Sequence, residues 1–172
     1  MAYTTAEVVD VPVFLTRLKQ HWKSLLILWF ITLGSGGVIG VLIRDRMGFY
    51  DTLTKPVFAP PGWLFPIAWS LLYTLMAIAA WLILHSGSPQ TLPVMILYFV
   101  QLGVNLAWPV LFFIQEALGL AFLWLMLLWA LLLILMACAW RIRRTASVLL
   151  TPYLLWTTFA GVLNFALALM NP

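Results

Sequence analysis

The stretch Leu118–Ala139, LGLAFLWLMLLWALLLILMACA, is apolar on every side of a helix and contains no charged residue. About twenty such residues cross the hydrocarbon core of a bilayer. A strand of a membrane β-barrel would instead alternate apolar and polar residues with a period of two. Four further runs of similar length fill the chain, and none of its Lys, Arg, Asp or Glu residues falls inside any of the five. The spans are expected at Leu25–Ile43, Trp63–Leu84, Leu92–Ile114, Ala117–Trp140 and Ser147–Met170. The fold class that follows is an all-α polytopic membrane protein, a compact bundle of five transmembrane helices.

Composition agrees. A mean hydropathy of +1.06 with 8% charged residues is far from that of a soluble domain. In 172 residues, five spans leave almost nothing for a water-soluble domain. Residues 1–24 read as an N-terminal extension and residues 25–172 as one membrane domain. The net charge of +4 sits at the membrane edges and suggests anionic lipid headgroups, not nucleic acid, as its partner. Cys138 is the single cysteine, so no internal disulfide forms, and it reads as a small buried hydrophobe. The first apolar run starts late, is of full span length and lacks a small-x-small cleavage site, so it is expected to be a retained helix.

Five spans put the two ends of the chain on opposite sides. Arg17, Lys19, Lys23, Arg141, Arg143 and Arg144 share the N-terminal side, whereas Arg44, Arg46 and Lys55 share the other with Asp45, Asp51 and Glu116. This bias favours a cytoplasmic N-terminus. Residues 1–9 read as disordered, and Asp10 as a helix cap before Pro12. Val11, Phe14, Leu15, Leu18, Trp22 and Leu25 then recur on one face. That stripe suits either a basic interfacial helix lying on the membrane or a backward extension of the first span.

Gly36 and Gly40 in the first span form a small-xxx-small pair that lets a second helix approach, within the monomer or from another copy. The connection from Arg44 to Gly62 is the longest, and Pro56, Pro60 and Pro61 make it a stiff cover. Pro109 should kink the third span. The fourth span, mostly Leu, Ala, Met and Trp, is expected to face lipid more than the others.

Polar residues at membrane depth are few. Gln101, Asn105, Trp108 and Phe112 share a face of the third helix, as do Phe65, Trp69 and Tyr73 on the second and Trp156, Ala160 and Asn164 on the fifth. At about 1.5 Å per residue, Trp69, Asn105 and Ala160 lie roughly 9, 13 and 15 Å in from the side that carries the long loop. Three polar and aromatic faces at similar depth suit a flat hydrophobic ligand with a polar rim. The alternative is ordinary packing, with Trp and Tyr as interfacial anchors and the carboxamides as helix–helix glue.

Some chemistries are disfavoured. No carboxylate or Lys lies within a span, which argues against a proton relay or ion-coupled pump. His21 and His85 are far apart in sequence, and no His, Cys and carboxylate cluster suggests a metal. No nucleophile–base–acid set is evident.

Three ordered motifs carry a resemblance. KPVFAPPGWLFPIAWSLLYTLM (Lys55–Met76), QLGVNLAWPVLFF (Gln101–Phe113) and PYLLWTTFAGVLN (Pro152–Asn164) resemble signatures of the TspO/translocator protein family, the tryptophan-rich sensory proteins related to the peripheral-type benzodiazepine receptor. The resemblance implies a five-helix bundle, often a homodimer, with a pocket under the first long loop for porphyrins and other tetrapyrroles and no required cofactor. Some bacterial members are associated with light-dependent porphyrin breakdown. By motif position Trp69 and Trp156 match the tryptophans tied to porphyrin chemistry, the catalytic pair if degradation occurs. Tyr73, Asn105, Trp108 and Ala160 match pocket positions.

Departures are visible. Phe58 stands where a Trp is usual, and Ile96 and Val100 replace a small-xxx-small pair of the third helix, for which Gly103 and Ala107 are a substitute. Phe165 occupies the aromatic place of a sterol pattern, and no basic residue follows it. The expected function is a porphyrin-binding sensory or regulatory membrane protein, with Arg44, Arg46 or Lys55 meeting the propionates. The alternatives are a light-dependent porphyrin-degrading enzyme and a transporter of tetrapyrroles or lipids.

Overall fold

The structure, a computed structural model, describes residues 11–172, with side chains described from Leu18 onward. The expectations for residues 1–9, the Asp10 cap and the Val11, Phe14 and Leu15 side chains lie outside the described residues. Helix α1 runs Val11–Ile43 and passes through a 3-10 turn, Arg44–Arg46, into the short α2, Gly48–Thr52. Helices α3 (Leu64–Leu84) and α4 (Thr91–Pro109) follow, and α4 continues as a π-helical turn, Val110–Ile114. Helix α5 (Leu118–Ile142), the short α6 (Arg144–Leu149) and α7 (Thr151–Met170) complete the chain.

Five helical segments among the described residues are long and apolar enough to cross a membrane. They form a closed ring in which α1 lies between α3 and α4, α4 meets α5, α5 meets α7, and α7 returns to α3. Helix α6 wedges between α3 and α5.

Lipid tails are as apolar as leucine, so burial from water does not drive these helices together. Close packing and interhelical hydrogen bonds do. The tryptophans supply several of those bonds. The indole N–H of Trp29 donates to Thr74 at 3.2 Å, joining α1 to α3. Trp124 donates to the Val104 carbonyl at 2.8 Å, joining α5 to α4, and Trp129 to Thr158 at 2.9 Å, joining α5 to α7. The Tyr98 and Thr32 hydroxyls meet at 2.7 Å between α4 and α1.

Helix α1 is continuous from Val11 but breaks at His21, where φ is −125° and ψ is 21°. The freed His21 carbonyl accepts from the Ser24 hydroxyl at 2.7 Å and from the Trp81 indole at 3.2 Å, which pins the kink to α3.

The expectation that the fourth span is the most lipid-exposed needs correction. Helix α1 is the least buried of the five. Helix α5 sits between α4, α6 and α7, and its Leu118, Ala121, Leu125, Leu128, Leu132 and Leu135 form a buried stripe at helical spacing.

Pro109 acts as its chemistry requires, in a specific form. Lacking an N–H, it cannot bond the Asn105 carbonyl, and the chain widens into the π turn, where Gln115 N–H reaches the Val110 carbonyl at 3.0 Å. The adjacent Phe112 and Phe113 are both buried as a result. Glu116, at φ 53°, reverses the chain, and Ala117 N–H bonds back to the Leu111 carbonyl at 3.1 Å.

The two glycines of the first span part company. A Cβ on Gly36 would overlap the rigid ring of Tyr73, whereas one on Gly40 would meet open space. Gly36 therefore serves packing within the monomer. Gly36→Val is expected to cost about 1–3 kcal/mol through overpacking, and Gly40→Ala little. Thermal unfolding in one detergent checks this; indistinguishable melting of the two variants would remove Gly36 as the contact point.

Candidate functional site

The residues singled out on the third, second and fifth spans lie on α4, α3 and α7, and the structure sorts them into a polar knot and an aromatic wall. The knot is a directional chain. Tyr73 Oη donates to Asn105 Oδ1 at 2.6 Å, Asn105 Nδ2 donates to Tyr153 Oη at 2.8 Å, and Tyr153 Oη donates to Gln101 Oε1 at 3.1 Å. All four side chains are buried. Gln101 Nε2 ends the chain with no partner among the described residues. A second knot lies nearer the long loop, where Trp108 Nε1 donates to Asn164 Oδ1 at 3.1 Å and Asn164 Nδ2 donates to the Leu118 carbonyl at 2.9 Å.

The carboxamides of Asn105 and Asn164 are thus engaged in joining helices, as the packing alternative anticipated. Tyr153, which completes the first knot, was not singled out from the sequence. The spacing Tyr153, Thr157, Ala160, Asn164 along α7 carried the signal, because all four are buried on one face.

The aromatic wall lines open space. A cavity of about 370 Å³ lies between α1, α3 and the end of α4, and Phe65, Trp69, Tyr73, Trp108 and Phe113 wall it. Its α1 side is built from Leu33, Ile39 and Ile43 together with Gly36, Gly37 and Gly40, with Ser70 a nearby hydroxyl. Volume and lining fall within the range of small-molecule sites. Trp69 also stacks obliquely on Tyr73, with centroids 5.4 Å apart, and meets Tyr153 edge-on at 6.0 Å. A second void, of about 20 Å³, lies under the loop between Tyr50, Phe65, Trp108, Phe112, Ala160 and Asn164. It has room for about one water.

The space therefore lies on the α1 side of α3, not centrally between α3, α4 and α7. Gln101 and Asn105 support the wall from behind. Trp156 lines neither space. Its ring meets Phe65 at 6.1 Å and Phe159 at 5.7 Å, so it stands one ring removed from the larger cavity. Its Nε1 is buried and has no acceptor among the described residues.

The loop charges lie outside both spaces. Arg44 and Arg46 are exposed, with Arg44 3.5 Å from Asp45. Lys55 pairs with Asp51 at 3.1 Å and sits 4.5 Å from the Tyr50 ring centroid. Burial, then the Asp51 charge, raises the Tyr50 hydroxyl above its ordinary value, so it stays neutral and donates to the Pro60 carbonyl at 2.9 Å.

One further pairing had no signal in sequence spacing. His21 and His85 stack with centroids 4.2 Å apart at the opposite end of the bundle.

A model of the TspO/MBR family matches residues 26–170. The chain belongs to the TspO/MBR family. Among its relatives, protein CrtK of Rhodobacter capsulatus is 35% identical over 151 residues, covering 87% of this chain and 94% of that protein. The tryptophan-rich protein TspO of Chlorobaculum tepidum is 36% identical over 126 residues, or 72% of this chain and 80% of that one. The translocator protein of Ovis aries is 38% identical over 136 residues, covering 76% and 80%. This TspO/MBR chain is an integral multi-pass membrane protein by family and by its five apolar helices.

The central knot generates a test. Removing one partner strands the buried polar groups of the others, at about 1–3 kcal/mol, although pairs within membrane bundles average about 0.6 kcal/mol. In a double-mutant cycle, Asn105→Leu and Tyr153→Phe are expected to be non-additive. Strict additivity in unfolding experiments would show that the carboxamide and phenol are not coupled.

Proposed function

We propose that this protein binds a porphyrin or a similar flat tetrapyrrole within the membrane and serves a sensory or regulatory role. The observation that carries the reading is the wall of Trp69, Tyr73, Trp108 and Phe65 around an apolar cavity of about 370 Å³. Aromatic faces of this kind hold planar π-systems by offset and edge contacts, each worth about 0.5–1.5 kcal/mol beyond burial. The names of relatives, such as the tryptophan-rich sensory protein of Cereibacter sphaeroides, support the sensory part.

In this reading Trp69 and Trp108 contact the macrocycle directly, and Asn105, Gln101 and Tyr153 position Tyr73. Trp156 reaches the ligand once Phe65 turns aside, and its unpartnered N–H then gains an acceptor. Arg44, Arg46 and Lys55 lie where ligand carboxylates would meet the headgroup region. Function as a coupled transporter draws no support, since the spans hold no carboxylate or Lys.

A specific observation favours a second reading, light-dependent porphyrin breakdown. Trp69 lies between the rings of Tyr73 and Tyr153, at 5.4 and 6.0 Å. An indole so placed would donate an electron to the excited macrocycle, with dioxygen as the terminal oxidant.

Titration with protoporphyrin IX, followed by tryptophan quenching, tests binding. Trp69→Leu is expected to weaken affinity about tenfold, by loss of one stacking partner, and Trp156→Leu by less. Equal affinity for wild type and a Trp69→Leu, Trp108→Leu double variant would defeat the assignment. For the second reading, illumination in air should generate a new absorbing product that Trp69→Leu abolishes. Bleaching at the same rate without protein would count against it.

A further inference from the structure

The cavity walls have two boundaries of opposite character, and together they indicate how it is reached. Toward the long loop its lining reaches only Met47, and the loop beyond is fastened over the end of α7. Asn171, just past α7, clasps the loop from both sides. Its Oδ1 accepts from Thr54 N–H at 2.9 Å, and its Nδ2 donates to the Thr54 carbonyl at 3.0 Å. The Tyr50–Pro60 bond closes the loop on itself, the Lys55–Asp51 pair braces it, and Phe58 rests against Phe159 of α7 at 6.5 Å. These contacts tie the loop to α7.

The flank between α1 and α3 behaves differently. Three contacts zip the two helices on the far side of Gly36. They are Trp81 on the His21 carbonyl, Trp29 on Thr74, and the Tyr73 ring against Gly36 itself. On the loop side of Gly36 the cavity lies between the two helices, its α1 side lined by Gly37, Ile39, Gly40 and Ile43, with Gly37 and Gly40 at the exposed edge. Both glycines are exposed, and a Cβ on either would meet no atom within 4 Å. The neighbouring Val38 and Val41 are exposed as well, on the least buried of the five spans. The gap is at membrane depth and is continuous with the wall of Phe65, Trp69 and Tyr73.

We propose that the ligand reaches the cavity sideways, from the hydrocarbon phase of the bilayer, through the glycine-lined gap between α1 and α3, while the loop stays closed. This rests on the binding reading above and adds the route. The occupant of the gap is a planar, largely apolar molecule already dissolved in the membrane. Its flat core slides past Gly37 and Gly40 onto Trp69, and its polar edge trails toward Arg44 and Arg46 at the membrane surface.

The full chain in phospholipid nanodiscs, with protoporphyrin IX supplied in the bilayer and quenching followed by stopped flow, separates route from affinity. Gly40→Phe narrows the gap, and Gly37→Leu serves as a second variant should the first fold poorly. Each is expected to slow dissociation as well as association by about tenfold, a joint slowing that loss of cavity contacts, which would speed dissociation, does not produce. Asn171→Ala, which releases the clasp, is expected to leave the association rate unchanged. The route is overturned if Asn171→Ala accelerates association while the glycine variants keep the wild-type rate. Absence of saturable quenching in the wild type is a different result, and it removes the binding reading together with the route.

Discussion

Water is absent from the middle of a bilayer, so a polar side chain there must find its partner on another helix. The chain from Tyr73 through Asn105 and Tyr153 to Gln101 meets that requirement and, in doing so, fixes α3, α4 and α7 relative to one another. Each link crosses between helices, and each donor has one acceptor within reach, which selects one rotation for every helix involved. Trp69 depends on this chain, because its ring rests on Tyr73 and Tyr153, two of the residues the chain holds. A slip of α4 by one turn would break both Asn105 bonds and leave four buried groups without partners.

The aromatic wall follows from that fixed centre. Tyr73 is held inward by Asn105, so its ring presses on Gly36 and sets how near α1 can come. Where α1 touches the ring, the helices are in contact. Beyond it, Gly37 and Gly40 put no side chain at the exposed edge beside Ile39 and Ile43, and a cavity remains. The end of α4 and the π turn after Pro109 supply the rest of the wall: Trp108 is held by Asn164, and Phe113 of the turn reaches the cavity. The space is thus a consequence of large rings placed opposite residues that lack side chains.

Much of this was legible in the sequence, and what was not has physical causes. Span number followed from uninterrupted apolar runs, because charge exclusion is the strongest signal a membrane chain carries. The shared faces of α3, α4 and α7 followed from spacing. The position of the cavity did not, because spacing says which residues share a face and not which helix stands opposite. Gly36 and Gly40 were legible as a close-approach pair, yet only Gly36 is used that way. The stack of His21 on His85 depends on the break at His21, and no local pattern distinguishes that residue from its helical neighbours. The relative burial of α1 and α5 was misjudged because composition alone cannot say which apolar helix is surrounded.

The polar knot and the open flank also explain one another. A bundle whose helices all touched along their full length would need no hydrogen bonds at its centre beyond those of ordinary packing. Here α1 is held to α3 along only part of its length, and the loop end of α3 borders a void. Stability lost by leaving that end unpacked must be made up elsewhere. The Asn105 network lies behind the wall of the void, and the Asn171 clasp holds the long loop to the end of α7. A rigid back leaves the exposed glycine edge as the part of the wall with the least to hold it closed, and it is also the part in contact with the solvent in which a flat apolar molecule would be dissolved.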